Sequence, residues 1–442
     1  MSLAAESARV MVIRVSTLAV QVPVSIMLAR FLGVEGKGLY TLLTVVPWLV
    51  SYVLLGGLDT AHSYFLSSRR TGLRPVVIQS VLSVFIISLV GIPVYLLLVA
   101  PPVIEGAAQI LLLVSALLIP LSLGRYFILS ILLGLERAVS FNLLYLVGAL
   151  IVLVMVTVFV GLLDFGLNGA LVAFVAAQGL LLPVGLYWIA RERKAAAQIP
   201  QDGSAPGESL KGLPLLRSSL AYGLKGHLAG VLVSFNQRFD IFLLGALSTS
   251  REVGLYAVAV ALAETIWHVP MSIHITLFPR TAAIGRIEGA RKLPRACRMT
   301  LLLTLSLALA VGALGYPLVL VLFGRPFLPA VIPLIVLLPG VVAVGLANVF
   351  ESYFAGVDRR QYQSFSVAWA FALSLGLGVT LIPRYGALGA ALASTGSYLL
   401  QMVLSISLYR RLGKLSFSDF FVPRLKDLKD LLATFRDLLK QK

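Results

Sequence analysis

The amino-acid sequence predicts an all-α polytopic membrane protein. Twelve transmembrane helices form two six-helix lobes related by a parallel internal repeat, with both termini in the cytoplasm. Three observations lead there: an apolar excess that water cannot tolerate, apolar runs of bilayer length, and Lys and Arg segregated to alternate connections. Of 442 residues, 59% are hydrophobic and 12% charged, whereas soluble domains run at about 45–50% and about 25%. The formal net charge is +17, from 36 Lys+Arg against 19 Asp+Glu. In a soluble chain that balance would suggest nucleic acid; the apolar content excludes it. One Cys and four His rule out a disulfide framework and a multi-ligand zinc site of ordinary spacing, so neither metal nor cofactor is expected.

A spanning helix needs about 20 mainly apolar residues. Such runs fall at 8–29, 39–66, 75–99, 108–133, 141–162, 167–190, 218–246, 253–279, 299–322, 328–355, 363–383 and 386–409. The first is no cleavable signal: it contains Arg14, lacks a small-residue cleavage site and continues into Ala29-Arg30-Phe31-Leu32-Gly33. With the N-terminus inside, the cytoplasmic connections hold 17 Lys and Arg, and the stretch from Arg410 onward adds nine. The outer connections hold five: Arg30, Lys37, Arg251, Arg325 and Arg384. That asymmetry sets the orientation and implies a multi-pass protein of the cytoplasmic (inner) membrane.

The halves repeat. Gly38-Leu39-Tyr40, opening the second span, returns as Gly254-Leu255-Tyr256 in the eighth. Gly134-Leu135-Glu136-Arg137 returns as Gly356-Val357-Asp358-Arg359, and Gly166-Leu-Asn-Gly-Ala-Leu-Val-Ala173 as Gly386-Ala-Leu-Gly-Ala-Ala-Leu-Ala393. The offsets are 216, 222 and 220 residues. Six spans per repeat insert both halves the same way round, about an axis along the membrane normal, which is transporter architecture. The expected organisation is an N-terminal lobe 1–194, a cytoplasmic linker 195–217, a C-terminal lobe 218–410 and a tail 411–442. Leu425, Leu428, Leu432, Phe435 and Leu439 put an apolar stripe on the tail, so it reads as an amphipathic helix lying at the inner surface.

Ala29-Arg30-Phe31-Leu32-Gly33-Val34-Glu35-Gly36-Lys37-Gly38-Leu39-Tyr40 resembles the end of the first helix in Wzx-like oligosaccharide flippases. These are the polysaccharide exporters of the MOP (multidrug/oligosaccharidyl-lipid/polysaccharide) superfamily. Arg238-Phe239-Asp240-Ile-Phe-Leu-Leu-Gly245 with Val253-Gly254-Leu255-Tyr256-Ala257 resembles their seventh-to-eighth helix stretch. Phe278-Pro279-Arg280 and Ala355-Gly356-Val357-Asp358-Arg359 resemble the ends of the eighth and tenth helices. Lys37 departs from the pattern, where an aromatic is usual. The resemblance implies a flippase that carries polyprenyl-diphosphate-linked oligosaccharide from the cytoplasmic to the outer leaflet by alternating access, for cell-surface polysaccharide. Its partners would be that substrate, membrane lipids and a proton or sodium gradient.

Charges inside spans cost roughly 2.5–3.5 kcal/mol each on insertion scales and so mark function first. Arg14, Gln21 and Ser25 share one stripe of the first helix. With Arg125 and Lys225, Arg14 completes a group of three cations in the cytoplasmic halves of their helices. Such cations suit a diphosphate, which Arg binds bidentately; the alternative is that Arg14 and Lys225 snorkel to the inner interface. Asn236 and Asp240 share a stripe of the seventh helix, with Arg238 nearly opposite. Asp240 reads either as the partner of an Arg on another helix or as an ion-coupling group. Asp59 with His62, and Glu264 with His268, are acid–imidazole pairs on one helix face. They and Glu351 are candidates for ion coupling or gating, against ordinary polar contacts between helices. Pro270 is positioned to kink the eighth helix.

No Walker-type loop is present, and the outer connections Phe323–Pro329 and Leu247–Glu252 are short. These features disfavour an enzyme, including a sugar polymerase or ligase. A cation-coupled multidrug-type exporter of the same superfamily is the alternative; it would need an acidic cavity rather than a basic one.

Overall fold

The computed structural model describes residues 3–196, 210–357, 359–410 and 420, with side chains from residue 9 onward except at 193–196, 268–292 and 360. Among the described residues every regular element is helical. Internal packing divides the chain into two compact units, Met1–Val231 and Leu232–Lys442.

In the first unit, α1 (Leu3–Leu54) is two helices joined at Gly33, φ 68° and ψ −175°. Glycine takes that φ without the Cβ penalty other residues meet. The connection expected between the first two spans is therefore a single-residue break. Lys37, expected in an outer connection, is buried in the second limb, its ammonium 5.6 Å over the ring of Tyr40. Phe174 meets the same ring edge-on at 6.2 Å, so an apolar and aromatic wall replaces solvent around that cation.

The expected second span, 39–66, is broken. Gly56 and Gly57 take φ 62° and 74°, and α2 (Leu58–Ser67) starts afresh. Gly57 lies against the backbone of Gly223, where a Cβ would come within 2.6 Å of the Gly223 carbonyl carbon. Helix α3 (Leu73–Val94) closes in a π turn at Tyr95–Val99. The fourth span is α4 (Gln109–Ala116) and α5 (Leu118–Gly134) about a hinge at Leu117. Helix α6 (Ala138–Val156) also ends in a π turn, and α7 (Gly166–Ala196) follows. One core cluster of this unit gathers Phe65, Ile128, Leu132, Leu144, Leu181 and Ile189.

Helix α8 (Gly212–Leu247) contains the division between the units. Of the expected linker 195–217, residues 197–209 lie outside the described residues. Leu210 is tied to the α2–α3 turn: its N–H donates to Arg70 O at 3.2 Å, and Thr71 Oγ1 donates to Leu210 O at 2.8 Å.

The eighth span differs most from expectation. Helix α9 (Ser250–Glu264) gives way to a 3-10 turn at Thr265–Trp267, and helical backbone α10 then runs from His268 to Leu322. The connection expected at 280–298 is helical, because Ala, Arg, Lys, Glu and Leu, all good helix formers, dominate it. The change to 3-10 bonding comes just before Pro270, which falls in the first turn of α10, where proline is tolerated. Helix α11 (Val331–Gly356) follows a 3-10 turn at Arg325–Ala330. Helix α12 (Arg360–Arg410) is again two helices, joined at Gly386 with φ 53°. Glu252 Oε2 accepts the Ala387 N–H there at 2.8 Å, and a Cβ on Gly386 would strike that carboxylate. Gly166 and Gly386, equivalent in the sequence repeat, both take a positive φ, 54° and 53°.

Nine helices among the described residues are long and apolar enough to cross a membrane. Two of them, Arg9–Leu54 and Gln361–Arg410, have 46 and 50 residues. At 1.5 Å per residue that is roughly 70–75 Å, over twice a hydrocarbon core of about 30 Å. Each carries its glycine break near the middle, so each supplies two limbs of bilayer length. Of the expected tail, only Phe420 is described. It is buried against Phe350 and Tyr409, with ring centroids at 5.4 and 5.6 Å, in a cluster that also holds Cys297.

Candidate functional site

In the first unit the stripe on α1 is partly engaged. Arg14 Nε donates to Asn142 Oδ1 on α6 at 2.8 Å, and Asn142 Nδ2 in turn donates to Ala138 O at 2.8 Å. The amide thus holds the guanidinium through one edge only. Ser25 is half-buried and Gln21 exposed. Arg125, on α5, is half-buried, and its Nε is buried with no hydrogen-bond partner among the described residues. A buried donor of a charged group left in that condition is costly. Lys225 is exposed on α8. All three cations fall in the unit Met1–Val231.

The first acid–imidazole pair is not brought together. His62 is buried, with Nδ1 3.2 Å from Ser80 Oγ and its ring 5.1 Å from Phe127. Asp59, in the first turn of α2, lies instead within electrostatic reach of His227. His227 Nε2 is 3.0 Å from Val53 O, a carbonyl in the last turn of α1. The pairing follows from the break at Gly56–Gly57 and the close crossing of Gly57 with Gly223, which set the start of α2 beside α8. No sequence interval shows that neighbour.

In the second unit the polar residues of α8 organise two buried groups. Arg238 forms a two-pronged ion pair with Glu264 on α9, at 2.8 and 3.0 Å. Glu264 therefore has a partner on α8; the side chain of His268 lies outside the described residues. Asp240 is buried and accepts from the hydroxyls of Tyr256 and Ser394 and from Ile241 N–H, the last two at 2.9 and 2.7 Å. A cavity with room for about one water molecule adjoins Asp240, Glu264, Trp267 and Tyr398. The buried indole N–H of Trp267 has no partner among the described residues.

The other group is a chain of side-chain hydrogen bonds. Ser397 Oγ donates to Asn236 Oδ1 at 2.6 Å, and Asn236 Nδ2 donates to Gln401 Oε1 at 3.0 Å. Gln401 Nε2 donates to Glu351 Oε1 at 2.8 Å, and Gln363 Nε2 to Glu351 Oε2 at 2.7 Å. Glu351, Asn236, Ser397 and Gln401 are buried. Both Glu351 oxygens accept an amide N–H, so the chain ends on this residue.

Sequence reading missed Ser394, Ser397 and Gln401. Their 3- and 4-residue spacing puts a polar stripe on the last span, a signal as plain as the Arg14 stripe. It also missed Asn142, Tyr256 and His227, single polar residues in apolar runs with no periodic mark.

This is the fold of a multi-pass membrane transporter with polar groups buried inside each unit. The inward-facing multidrug resistance MATE family transporter of the MOP superfamily is similar to it, with 15% identity, a TM-score of 0.69, and 91% of this chain and 96% of that one covered. Lipid II flippase MurJ in its inward closed conformation gives 14% identity and a TM-score of 0.68 over 98% of this chain and 93% of its own. A mutant of the Vibrio cholerae MATE transporter VcmN gives 17% and 0.62 over 94% and 97%. At these identities the likeness is one of fold. No curated protein matches the sequence. The family described as "Polysaccharide biosynthesis protein" matches residues 27–332. The chain belongs to that family.

Proposed function

We propose that this chain is a flippase that carries polyprenyl-diphosphate-linked oligosaccharide from the cytoplasmic to the outer leaflet, by alternating access between lobes at 1–194 and 218–410. The observation that carries the reading is Arg125. A guanidinium inside a membrane helix whose buried Nε has no partner among the described residues is favourably answered by an anion, and a diphosphate supplies charge and several acceptor oxygens at once. Arg14, held by Asn142 through one edge, keeps its other donors for the same group. Lys225, exposed at the inner end of its helix, adds charge where the headgroup would arrive. Gln21 and Ser25 supply neutral polar contacts along the stripe.

In this reading the buried carboxylates Asp240 and Glu351 of the second unit couple transport to a proton or sodium gradient. Asp59, His62, Glu264 and His268 serve gating or helix contacts. A buried acidic pair also favours a second reading, export of small cations on the multidrug pattern. Reconstituted protein separates the two. Flipping of fluorescent polyprenyl-diphosphate oligosaccharide in proteoliposomes should fall at least tenfold in the Arg14→Ala/Arg125→Ala double variant. Unchanged flipping would remove the cations from the site, and gradient-driven efflux of a cationic dye with no lipid flipping would establish the multidrug reading instead.

A further inference from the structure

Around mid-span in the first unit lies a group of rings that the diphosphate site does not use. Trp48 and Tyr52, one helical turn apart on α1, stack with centroids 5.9 Å apart and planes 10° apart. Tyr126 of α5 and His227 of α8 close on Tyr52, each at 5.7 Å and tilted by 50° and 48°. Gly230 of α8 makes room for the Tyr52 hydroxyl, which lies 2.8 Å from where a Cβ would stand. Tyr52 is therefore clamped from three helices. Trp48 touches no ring but Tyr52 among the described residues, and it is half-buried.

A stacked Trp on the lipid face would sit among apolar neighbours. Here the ring on which Trp48 stacks has polar neighbours. Tyr126 follows Arg125 directly in the chain, His227 holds a backbone carbonyl, and Asp59 lies within reach of both Tyr126 and His227. Ionisable groups at membrane depth line protein interior or wet cavity rather than lipid, so the face of α1 that carries Trp48 and Tyr52 is turned toward the protein interior. A flat indole with polar groups beside it matches one ligand chemistry well. The C–H face of a pyranose packs on the electron-rich ring face, and its hydroxyls meet the flanking Asp, His and Tyr.

We propose that Trp48 is the stacking surface for a sugar ring of the lipid-linked glycan, with Tyr52 as its positioning residue and Asp59 and His227 as flanking hydrogen-bond groups. This rests on the diphosphate reading above, and it adds that the protein senses the sugar as well as the lipid phosphate.

The test measures equilibrium binding to purified full-length protein in nanodiscs. The probes are bare polyprenyl diphosphate and the same lipid carrying glucose, galactose, N-acetylglucosamine, mannose or rhamnose. Wild type should bind at least one glycosylated lipid roughly tenfold tighter than the bare lipid. Trp48→Leu should lose that gain and Trp48→Tyr should keep most of it, both with bare-lipid affinity unchanged, which also shows that the variants are folded. The proposal is overturned if no sugar improves wild-type binding, if Trp48→Leu keeps the gain, or if Trp48→Tyr loses as much as Trp48→Leu. If wild type does not bind bare polyprenyl diphosphate at all, the diphosphate reading itself fails and the sugar platform with it.

Discussion

Glu351 offers the sharpest test of the second unit. Two amide donors, from Gln363 and Gln401, end on its carboxylate at 2.7 and 2.8 Å, in a site closed to solvent. Replacing it with Leu keeps apolar volume but leaves both N–H groups unanswered. Each orphaned buried donor costs about 1–3 kcal/mol, while hydrogen bonds between membrane helices average only about 0.6 kcal/mol when measured by double-mutant cycles. Between those limits a loss of about 2–3 kcal/mol is expected for Glu351→Leu. Glu351→Gln behaves differently. An amide offers one acceptor and one donor, so the Gln401–Asn236–Ser397 chain can reverse its direction and keep its bonds, at a cost of roughly 1 kcal/mol or less. For a unit of this size 1 kcal/mol moves Tm by about 2–4 °C. Thermal unfolding in detergent should therefore show Glu351→Leu roughly 5–10 °C below wild type and Glu351→Gln within about 3 °C of it. If the two variants melt together, the carboxylate does not organise the chain as described. Flipping assayed on the same two proteins separates structure from coupling: a folded Glu351→Gln that no longer responds to a proton gradient would show that the charge is used in transport.

Other expectations follow from single contacts. Gly57→Ala forces a side chain into a left-handed backbone and onto Gly223; with about 1–2 kcal/mol for the conformation and about 1–3 for overpacking, it should be among the most destabilising single-methyl additions, read as a large fall in Tm or in folded yield. The Arg238–Glu264 pair is two-pronged but its side chains are 32% and 24% exposed, so a double-mutant cycle with Ala should give a coupling of about 1 kcal/mol, and a value near zero would mean solvent has replaced the pair. By contrast Arg137–Glu192, at 2.9 Å with Arg137 47% exposed, should be nearly silent: Arg137→Gln should move Tm by less than about 1–2 °C.

Much of this protein was legible as sequence because a bilayer imposes a simple rule on it. Apolar runs of bilayer length, cations on alternate connections and repeated glycine motifs follow from burying a backbone in hydrocarbon, and no tertiary knowledge is needed to read them. Gly166 and Gly386 occupy one place in the repeat and take nearly the same positive φ. The breaks were harder. Nothing periodic marks Gly33 as a one-residue joint or Thr265–Trp267 as the end of a helix, because an apolar run looks the same whether or not the helix within it bends. The polar sites were read one helix at a time, which finds Arg14, Arg125, Asp240 and Glu351 but not their partners.

Composition and span pattern thus determined by themselves that the chain is a helical multi-pass membrane protein, with Arg14 and Arg125 in its first half and Asp240 and Glu351 in its second. Tertiary structure alone decided which charges are answered. Glu264 took Arg238, Asp59 came within electrostatic reach of His227, and Glu351 drew two amides from α12, while the buried Nε of Arg125 met no partner among the described residues. The physical reason is that a helix specifies the face on which a polar group stands, but the crossing of helices, set at points such as Gly57 against Gly223, specifies what stands opposite.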